Sequence, residues 1–371
     1  MALQPRPRVL VIGAGVIGLT TAYELLEKGF RVTILAKEFV SPSNNHKIAS
    51  QVAAGLWQIP VRILPWRDAQ VEKNIFDWCM RTWHRFSELS KQKDVTGVYM
   101  RQRIKLYTHK IDDDLRVKEH MQAHQHLPGF RHSLQIITDY GINGDGIKDA
   151  FTFLSPVVDT DIFLTWLTGQ LQSQGVDFVK EEVTPPLSQH LGVLRSRYKA
   201  HWVINCTGFQ AEYMAQDKKA YPLRGAGLII HNADINVMPD ACIQTTTPWC
   251  EGDAEGLAII APRGVHSVWL GTFKQPSSDC FLEMSDPIVR RMLKECQKIY
   301  PPLRRIRDEH LSGMTVGVRP NRHETPRVEL DSTDHNLVHN YGHTSYGVAM
   351  SWGCAEHVST IVSQQLTSAK L

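Results

Sequence analysis

An α/β fold, in which a discontinuous nucleotide-binding domain of Rossmann type is interleaved with a β-sheet-rich domain, is what this 371-residue sequence predicts. Three observations carry that expectation: a glycine fingerprint between a strand and a helix near the N-terminus, a second buried strand ending in a small polar turn far along the chain, and a β-rich pattern through the second half.

The fingerprint comes first. Val9, Val11 and Ile12 lead into Gly13-Ala14-Gly15-Val16-Ile17-Gly18, and Leu19 to Leu26 then repeat at helical spacing. Such a strand, turn and helix start cradles a pyrophosphate on free helix N–H groups. Gly13 permits the tight turn, Gly15 lets the backbone approach the phosphates, and Gly18 lets helix and strand pack closely. After Lys28-Gly29 a second strand, Arg31 to Ala36, ends at Lys37-Glu38, roughly 20 residues past the last glycine, where the fingerprint places an acid on the ribose hydroxyls. Glu38 is the candidate for that contact, and Lys37 leaves open a contact through backbone atoms instead.

Beyond the polar loop Phe39 to Lys47, the small residues of Ile48 to Trp57 allow close approach to a flat ligand, with Ser50, Gly55 and Leu56 placed against a cofactor. Val71 to Ser90 reads as an amphipathic helix with Ile75, Trp78, Cys79, Trp83 and Phe86 inward, more a core stripe than a binding surface. Val98 to Thr108 alternates as a strand, and Lys110 to His132 reads as helix and surface loop. Gln135 to Tyr140 and Gly146 to Leu154 suggest a hairpin. Ser155 to Asp161 opens a helix capped by Asp159 or Thr160, and Val176 to Val183 returns as a strand. His201 to Gly208 is a buried strand whose polar turn can reach the cofactor.

Leu223 to His231, Cys242 to Thr246, Leu257 to Ala261, Ser267 to Phe273, Leu311 to Arg319 and Leu337 to Tyr341 read as strands, and Met284 to Tyr300 as a helix. The closing helix follows a turn near Gly342 to Gly347. The expected division places residues 1–90, 145–220 and 330–371 in the nucleotide-binding domain, and 91–144 and 221–329 in the β-rich, substrate-binding domain.

Composition excludes several classes. With 41 basic and 38 acidic residues the net charge is only +3, so no global field points to nucleic acid or an anionic membrane. No run of about 18 apolar residues predicts a transmembrane helix, and no apolar signal region precedes the first strand. The seven cysteines are scattered without a Cys-x-x-Cys pair, which suits reduced thiols and offers no zinc motif. His120, His124 and His126 form the closest histidine cluster; in so polar a segment, with no acid or cysteine to complete a ligand set, they read as surface residues rather than a metal site.

Six segments taken together resemble the D-amino-acid oxidase family of FAD enzymes, of the D-amino-acid or D-aspartate oxidase type and fungal-like: VIGAGVIGL (11–19), VAAGLW (52–57), VDTDIFLTWL (158–167), VINCTG (203–208), GVRPNR (317–322) and NYGHTSYGVAMSWGCA (340–355). The resemblance implies noncovalent FAD that takes a hydride from the substrate Cα, giving an imino acid and then a 2-oxo acid and ammonia, with O2 reduced to H2O2. It implies that Arg319 grips the substrate α-carboxylate, where a planar guanidinium offers two parallel hydrogen bonds. It places the backbone of Thr344, Ser345, Tyr346, Gly347 and Val348 against the flavin pyrimidine ring, a carbonyl matching Ser345 on the substrate amine, and Val183, Thr207 and Gly208 along the cofactor.

One departure stands out. Where the family has a carboxylate-binding tyrosine, this chain has Gly256 to Pro262, with Ala258 at the expected position. Members that prefer acidic substrates need a second cation, and Arg62, Arg67 and Arg263 lie in loops that could border the pocket, though each also reads as an ordinary surface arginine. The alternatives are a related oxidase of a secondary or specialised amine, an NAD-dependent dehydrogenase, which would lack the segment from Gly342 to Trp352, and a non-catalytic nucleotide- or flavin-binding protein. A homo-oligomer is left open. The chain stops in Ala369-Lys370-Leu371, one residue from the Ser-Lys-Leu address read by the peroxisomal import receptor. A chance tripeptide is the other reading, and a peroxide-releasing oxidase favours the address.

Overall fold

The computed structural model describes residues 6–41, 47–60, 68–231, 239–245, 249–251 and 254–368. Strand β1 (Arg8–Ile12) passes through the glycine turn into α1 (Val16–Glu27), and β2 (Arg31–Ala36) completes the first unit. The single turn α2 (Ala49–Val52) and the long α3 (Ala69–Leu89) lead through α4 (Lys93–Thr96) into β3 (Val98–Tyr107). Then come α5 (Leu115–His124), β4 (Arg131–His132), α6 (Gln135–Asp139), β5 (Asp149–Val158), α7 (Thr160–Ser173), β6 (Asp177–Lys180), α8 (Leu191–Tyr198) and β7 (Trp202–Asn205). The second half runs α9 (Ala211–Met214), β8 (Ala220–His231), β9 (Ala241–Thr245), β10 (Trp249–Glu251), β11 (Ala254–Arg263), β12 (Ser267–Pro276), α10 (Pro287–Ile299), β13 (Leu311–Arg322), β14 (Arg327–Leu330), β15 (Leu337–Tyr341) and α11 (Gly347–Ser368).

A six-stranded sheet has the order β14-β15-β7-β1-β2-β6, parallel except for β14. Both of its faces are covered, as parallel sheets require. Val9 and Val11 of β1 join a core with Leu19 and Ala22 of α1, Phe163 of α7 and Val358 of α11. Leu10 and Ile12 point the other way, toward Leu191 and Leu194 of α8. This alternation explains why β1 reads as a continuous apolar run.

The second sheet has nine strands in the order β13-β8-β12-β11-β9-β3-β5-β4, with β10 paired to β11. One face is covered by α10: Ile288, Met292 and Cys296 pack on Ile104, Leu228, Ile243, Ile260 and Leu270. The opposite face looks toward the glycine turn, and between them lies the site. No helix among the described residues is long and apolar enough to cross a membrane.

Three expectations change. Within the Gln135 to Tyr140 stretch, Gln135–Asp139 forms helix α6 rather than a strand, so there is no hairpin; Ile136, Ile137 and Tyr140 all meet the α10 core, which overrides the β-branched local preference. Strand β5 continues through Ser155-Pro156 to Val158, and the following helix begins at Thr160, where Asp159 accepts from the Asp161 and Ile162 N–H groups. Consequently β5, inside the 145–220 piece assigned to the nucleotide-binding domain, belongs to the nine-stranded sheet.

Candidate active site

At one end of the site, the turn after β1 is so tight that side chains are excluded on backbone grounds. A Cβ on Gly13, whose φ is +112°, would lie 2.3 Å from the Cys206 carbonyl oxygen, and one on Gly18 would lie 1.9 Å from the carbonyl oxygen of Gly13. A Cβ on Gly15 would come within 3.0 Å of Ser50 Oγ. The first N–H groups of a helix lack intrahelical acceptors; Ser50 Oγ accepts the Val16 N–H at 2.9 Å and so stands at the start of α1. The Gly13 N–H bonds to the Leu35 carbonyl at 2.9 Å, which ties the turn to β2.

A single cavity of about 930 Å³ runs from this turn to the nine-stranded sheet. It is lined by Gly13, Ala14, Gly15, Val16 and Ile17, by Lys37 and Glu38 after β2, and by Ser50, Gly55 and Leu56. Val183, Thr207 and Gly208 line it as well. Gly18 is the one fingerprint residue not on its wall; its contribution is the packing of α1 on β1. Lys37 pairs with Glu182 at 2.9 Å, whereas the Glu38 side chain is exposed at the wall. Asn205 fixes the turn after β7 by accepting from both N and Oγ1 of Thr207, at 3.2 and 2.7 Å.

Arg319, Thr344, Ser345, Tyr346, Gly347 and Val348 line the same cavity. Arg319 Nη1 donates to the Phe273 carbonyl at 3.0 Å and Nη2 to Thr272 Oγ1 at 2.9 Å. These bonds lay the guanidinium over Gly225, where a Cβ would be only 2.1 Å from Nη1. Burial pushes its pKa down to about 10, so it stays a cation at neutral pH. Thr344 has φ +53°, a left-handed conformation that costs a β-branched residue about 1–3 kcal/mol. Its N–H bonds to the Pro320 carbonyl at 3.0 Å, which anchors the strained residue next to Arg319. Beside it, Ser345 is exposed to the cavity ahead of the first turn of α11.

The tyrosine position is corrected by the structure. Ala258 points into the α10 core with Ile260, away from the cavity, because side chains alternate along β11 and Leu257 and Ile259 take the cavity face. Leu257 and Ile259 are the cavity-facing residues there, and neither carries a hydroxyl. Arg263, weighed as a pocket cation, is buried instead as a strut: it donates to the Ala53 carbonyl and Thr160 Oγ1 and lies 3.9 Å from Asp161. Arg62 and Arg67 lie outside the described residues, as do Ala369, Lys370 and Leu371.

The histidine reading is also overturned. His120 and His124 are buried, and only His126 is exposed. His124 Nε2 accepts the Ile59 N–H at 3.0 Å and Nδ1 donates to the His120 carbonyl at 2.8 Å; burial pushes its pKa down to about 3. Among the described residues no group of three or more His, Cys, Asp or Glu is arranged for a metal ion.

Sequence reasoning missed Arg103 and Lys105. Both project from β3 into the cavity and are buried, at 2% and 1% exposure. The signal was present in the alternation of Arg101, Arg103 and Lys105 along β3, which by itself reads as a solvated strand face.

A helix start stripped of side chains and a partly buried arginine cation on the wall of one long cavity fit a dinucleotide cofactor whose reactive ring meets an anionic substrate. The class is a nucleotide-dependent oxidoreductase. More narrowly, the chain belongs to the family described as FAD dependent oxidoreductase, whose sequence profile matches residues 8–361. This excludes the NAD-dehydrogenase alternative.

The D-amino-acid oxidase of Streptomyces coelicolor is 30% identical over 360 residues, covering 96% of each chain. That of Rubrobacter xylanophilus is 29% identical over 364 residues, covering 97% of each. Glycine oxidase from Geobacillus kaustophilus superposes with a TM-score of 0.75 at 17% identity, covering 96% of this chain and 95% of that one. Iminodiacetate oxidase from Chelativorans gives 0.72 at 16%, covering 96% and 95%. At such identities these two structures share the fold.

Proposed function

We propose that the protein oxidises D-amino acids to imino acids, which water converts to 2-oxo acids and ammonia, while O2 is reduced to H2O2. The observation that carries this reading is Arg319, a partly buried cation on the wall of the cavity that residues 344–348 also line. The D-amino-acid oxidase relatives support the choice of substrate.

FAD, bound in this cavity without a covalent bond, would supply the hydride acceptor and the reducing equivalents for O2. Residues of the chain bind and orient. The Arg319 guanidinium meets the α-carboxylate with the N–H groups not engaged by Phe273 and Thr272, which fixes Cα in one position. The Ser345 carbonyl accepts from the substrate amine. The apolar walls formed by Leu257, Ile259 and Trp269 keep water from the reacting carbon. Glu38, exposed at the cavity wall, would take the adenosine ribose hydroxyls.

Stoichiometry tests this reading. One O2 consumed should yield one H2O2, one ammonia and one 2-oxo acid per D-amino acid; peroxide formed without a 2-oxo acid contradicts it. A second reading, oxidation of a secondary or specialised amine, is favoured by the absence of a hydroxyl at Leu257 and Ile259. It requires turnover that is indifferent to loss of Arg319.

Ala369-Lys370-Leu371 is proposed as a peroxisomal address, because an oxidase that releases peroxide benefits from confinement with the enzymes that remove it. A fluorescent protein fused ahead of Met1 should appear in puncta with a peroxisomal marker and become diffuse when Leu371 is deleted. Diffuse signal from the intact tail contradicts the assignment.

A further inference from the structure

The cavity holds cations of two kinds. Lys37 and Lys47 on its wall each face a carboxylate, Glu182 at 2.9 Å and Asp161 at 2.6 Å. Arg103 and Lys105, much more deeply buried, face none among the described residues. Lys105 Nζ donates to Gln58 Oε1 at 2.8 Å and to Gln244 Oε1 at 3.0 Å. Arg103 Nη2 donates to the same two oxygens, at 3.0 Å for Gln58. Two neutral carbonyl oxygens therefore serve two cations. Nε and Nη1 of Arg103 are buried with no partner among the described residues.

Such an arrangement is unfavourable as it stands, because a buried cation is retained only where an opposite charge or a full set of hydrogen bonds offsets its lost hydration. Burial pushes Arg103 below its usual pKa and Lys105 well below, and the neighbouring Arg103 charge pushes Lys105 in the same direction. An anion in the cavity supplies what is missing. It would offset the uncompensated charge of Arg103 and restore the charge on Lys105.

The cluster also sits at the substrate end. Gln58 Nε2 donates to the Tyr346 hydroxyl at 3.3 Å, and the Tyr346 ring lies close enough to both Arg103 and Arg319 for each charge to act on it. The pyrophosphate cradle at Gly13 to Gly18 belongs to the other end of the cavity.

We propose that Arg103 and Lys105, held by Gln58 and Gln244, form a subsite for a second carboxylate, so that the substrate is an amino acid with an acidic side chain. This rests on the role of Arg319 for the α-carboxylate and goes beyond it. The two cationic centres flank Tyr346 and hold the two ends of one dicarboxylate. Arg103 and Lys105 are specificity residues and play no part in the hydride step.

Binding of achiral ligands to the FAD-loaded protein tests this without reliance on turnover or on D-stereochemistry. Malonate, succinate and glutarate are titrated against their half-amides, with the flavin absorption spectrum and calorimetry as readouts. At least one diacid should bind about 30-fold or more tighter than its half-amide, the range expected when one partner of a buried charge contact is lost. In Arg103→Met and Lys105→Met that preference should fall to about 3-fold or less, with the half-amide Kd and the FAD content unchanged. Equal binding of every diacid and its half-amide by the wild-type protein overturns the proposal even if neither variant folds; so does a preference that persists in both folded variants. Diacid preference without oxidation of any D-amino acid would count against the proposed activity alone. Oxidation of neutral D-amino acids with no diacid preference would count against the subsite alone.

Discussion

Replacing Arg319 with leucine should lower kcat/KM on the best D-amino acid by about 10³-fold while bound FAD is retained. The wild-type guanidinium is a partly buried cation on the cavity wall. Leucine removes both the charge and the paired donors, so the carboxylate loses its anchor and Cα its fixed position. Lysine restores charge without the planar fork and should recover only part of the loss. A second route reaches the same defect: a Cβ on Gly225 would stand 2.1 Å from Arg319 Nη1, so Gly225→Ala must displace the guanidinium and should raise KM while leaving Arg319 in place. Full activity in Arg319→Leu would favour the amine reading.

The second large effect is expected at the glycine turn. Gly13→Ala and Gly18→Ala should yield protein with FAD affinity reduced by about 100-fold or more, read as loss of the flavin absorbance ratio after desalting. In both cases the added Cβ meets backbone oxygen, 2.3 Å away at Gly13 and 1.9 Å at Gly18, and backbone cannot rotate aside. Gly29→Ala is the control. Its φ is +85°, yet nothing lies within 4 Å of the added Cβ. It should cost only about 1–2 kcal/mol of stability and leave FAD content unchanged. FAD retention in Gly13→Ala and Gly18→Ala would mean that the cradle does not depend on close backbone approach.

How much of this was legible in the sequence depends on whether the signal was local. The cofactor half rests on short-range spacing: glycine intervals, the strand before them, and the acid after β2. The turn residues and Glu38 fall on one cavity, except Gly18, which packs behind the wall. Arg319 was visible only through the family-like segment around it, since an arginine after Gly-Val carries no signal of its own. Arg103 and Lys105 were invisible because alternation along β3 shows that one face is polar without showing that this face looks into a cavity rather than solvent. His120 and His124 failed for the mirror reason: the segment is polar on average, yet α5 turns these two inward against Phe151 and Phe153.

Ala258 was misplaced by one position along β11, and in a strand one position is enough to change the face a side chain takes: Leu257 and Ile259 face the cavity, Ala258 and Ile260 the α10 core. Gln135 to Asp139 was misread because a short β-branched run fits a strand or one helical turn equally well, and only contact with the α10 core decides.

The central claim is that this FAD-dependent oxidoreductase oxidises D-amino acids through a carboxylate held by Arg319. Peroxide release by the FAD-loaded protein tests it most directly, measured against a panel of D-amino acids, their L-enantiomers and amines without a carboxylate. The account predicts turnover of D-amino acids and none of the other two groups; turnover of the amines or the L-enantiomers alone would contradict it.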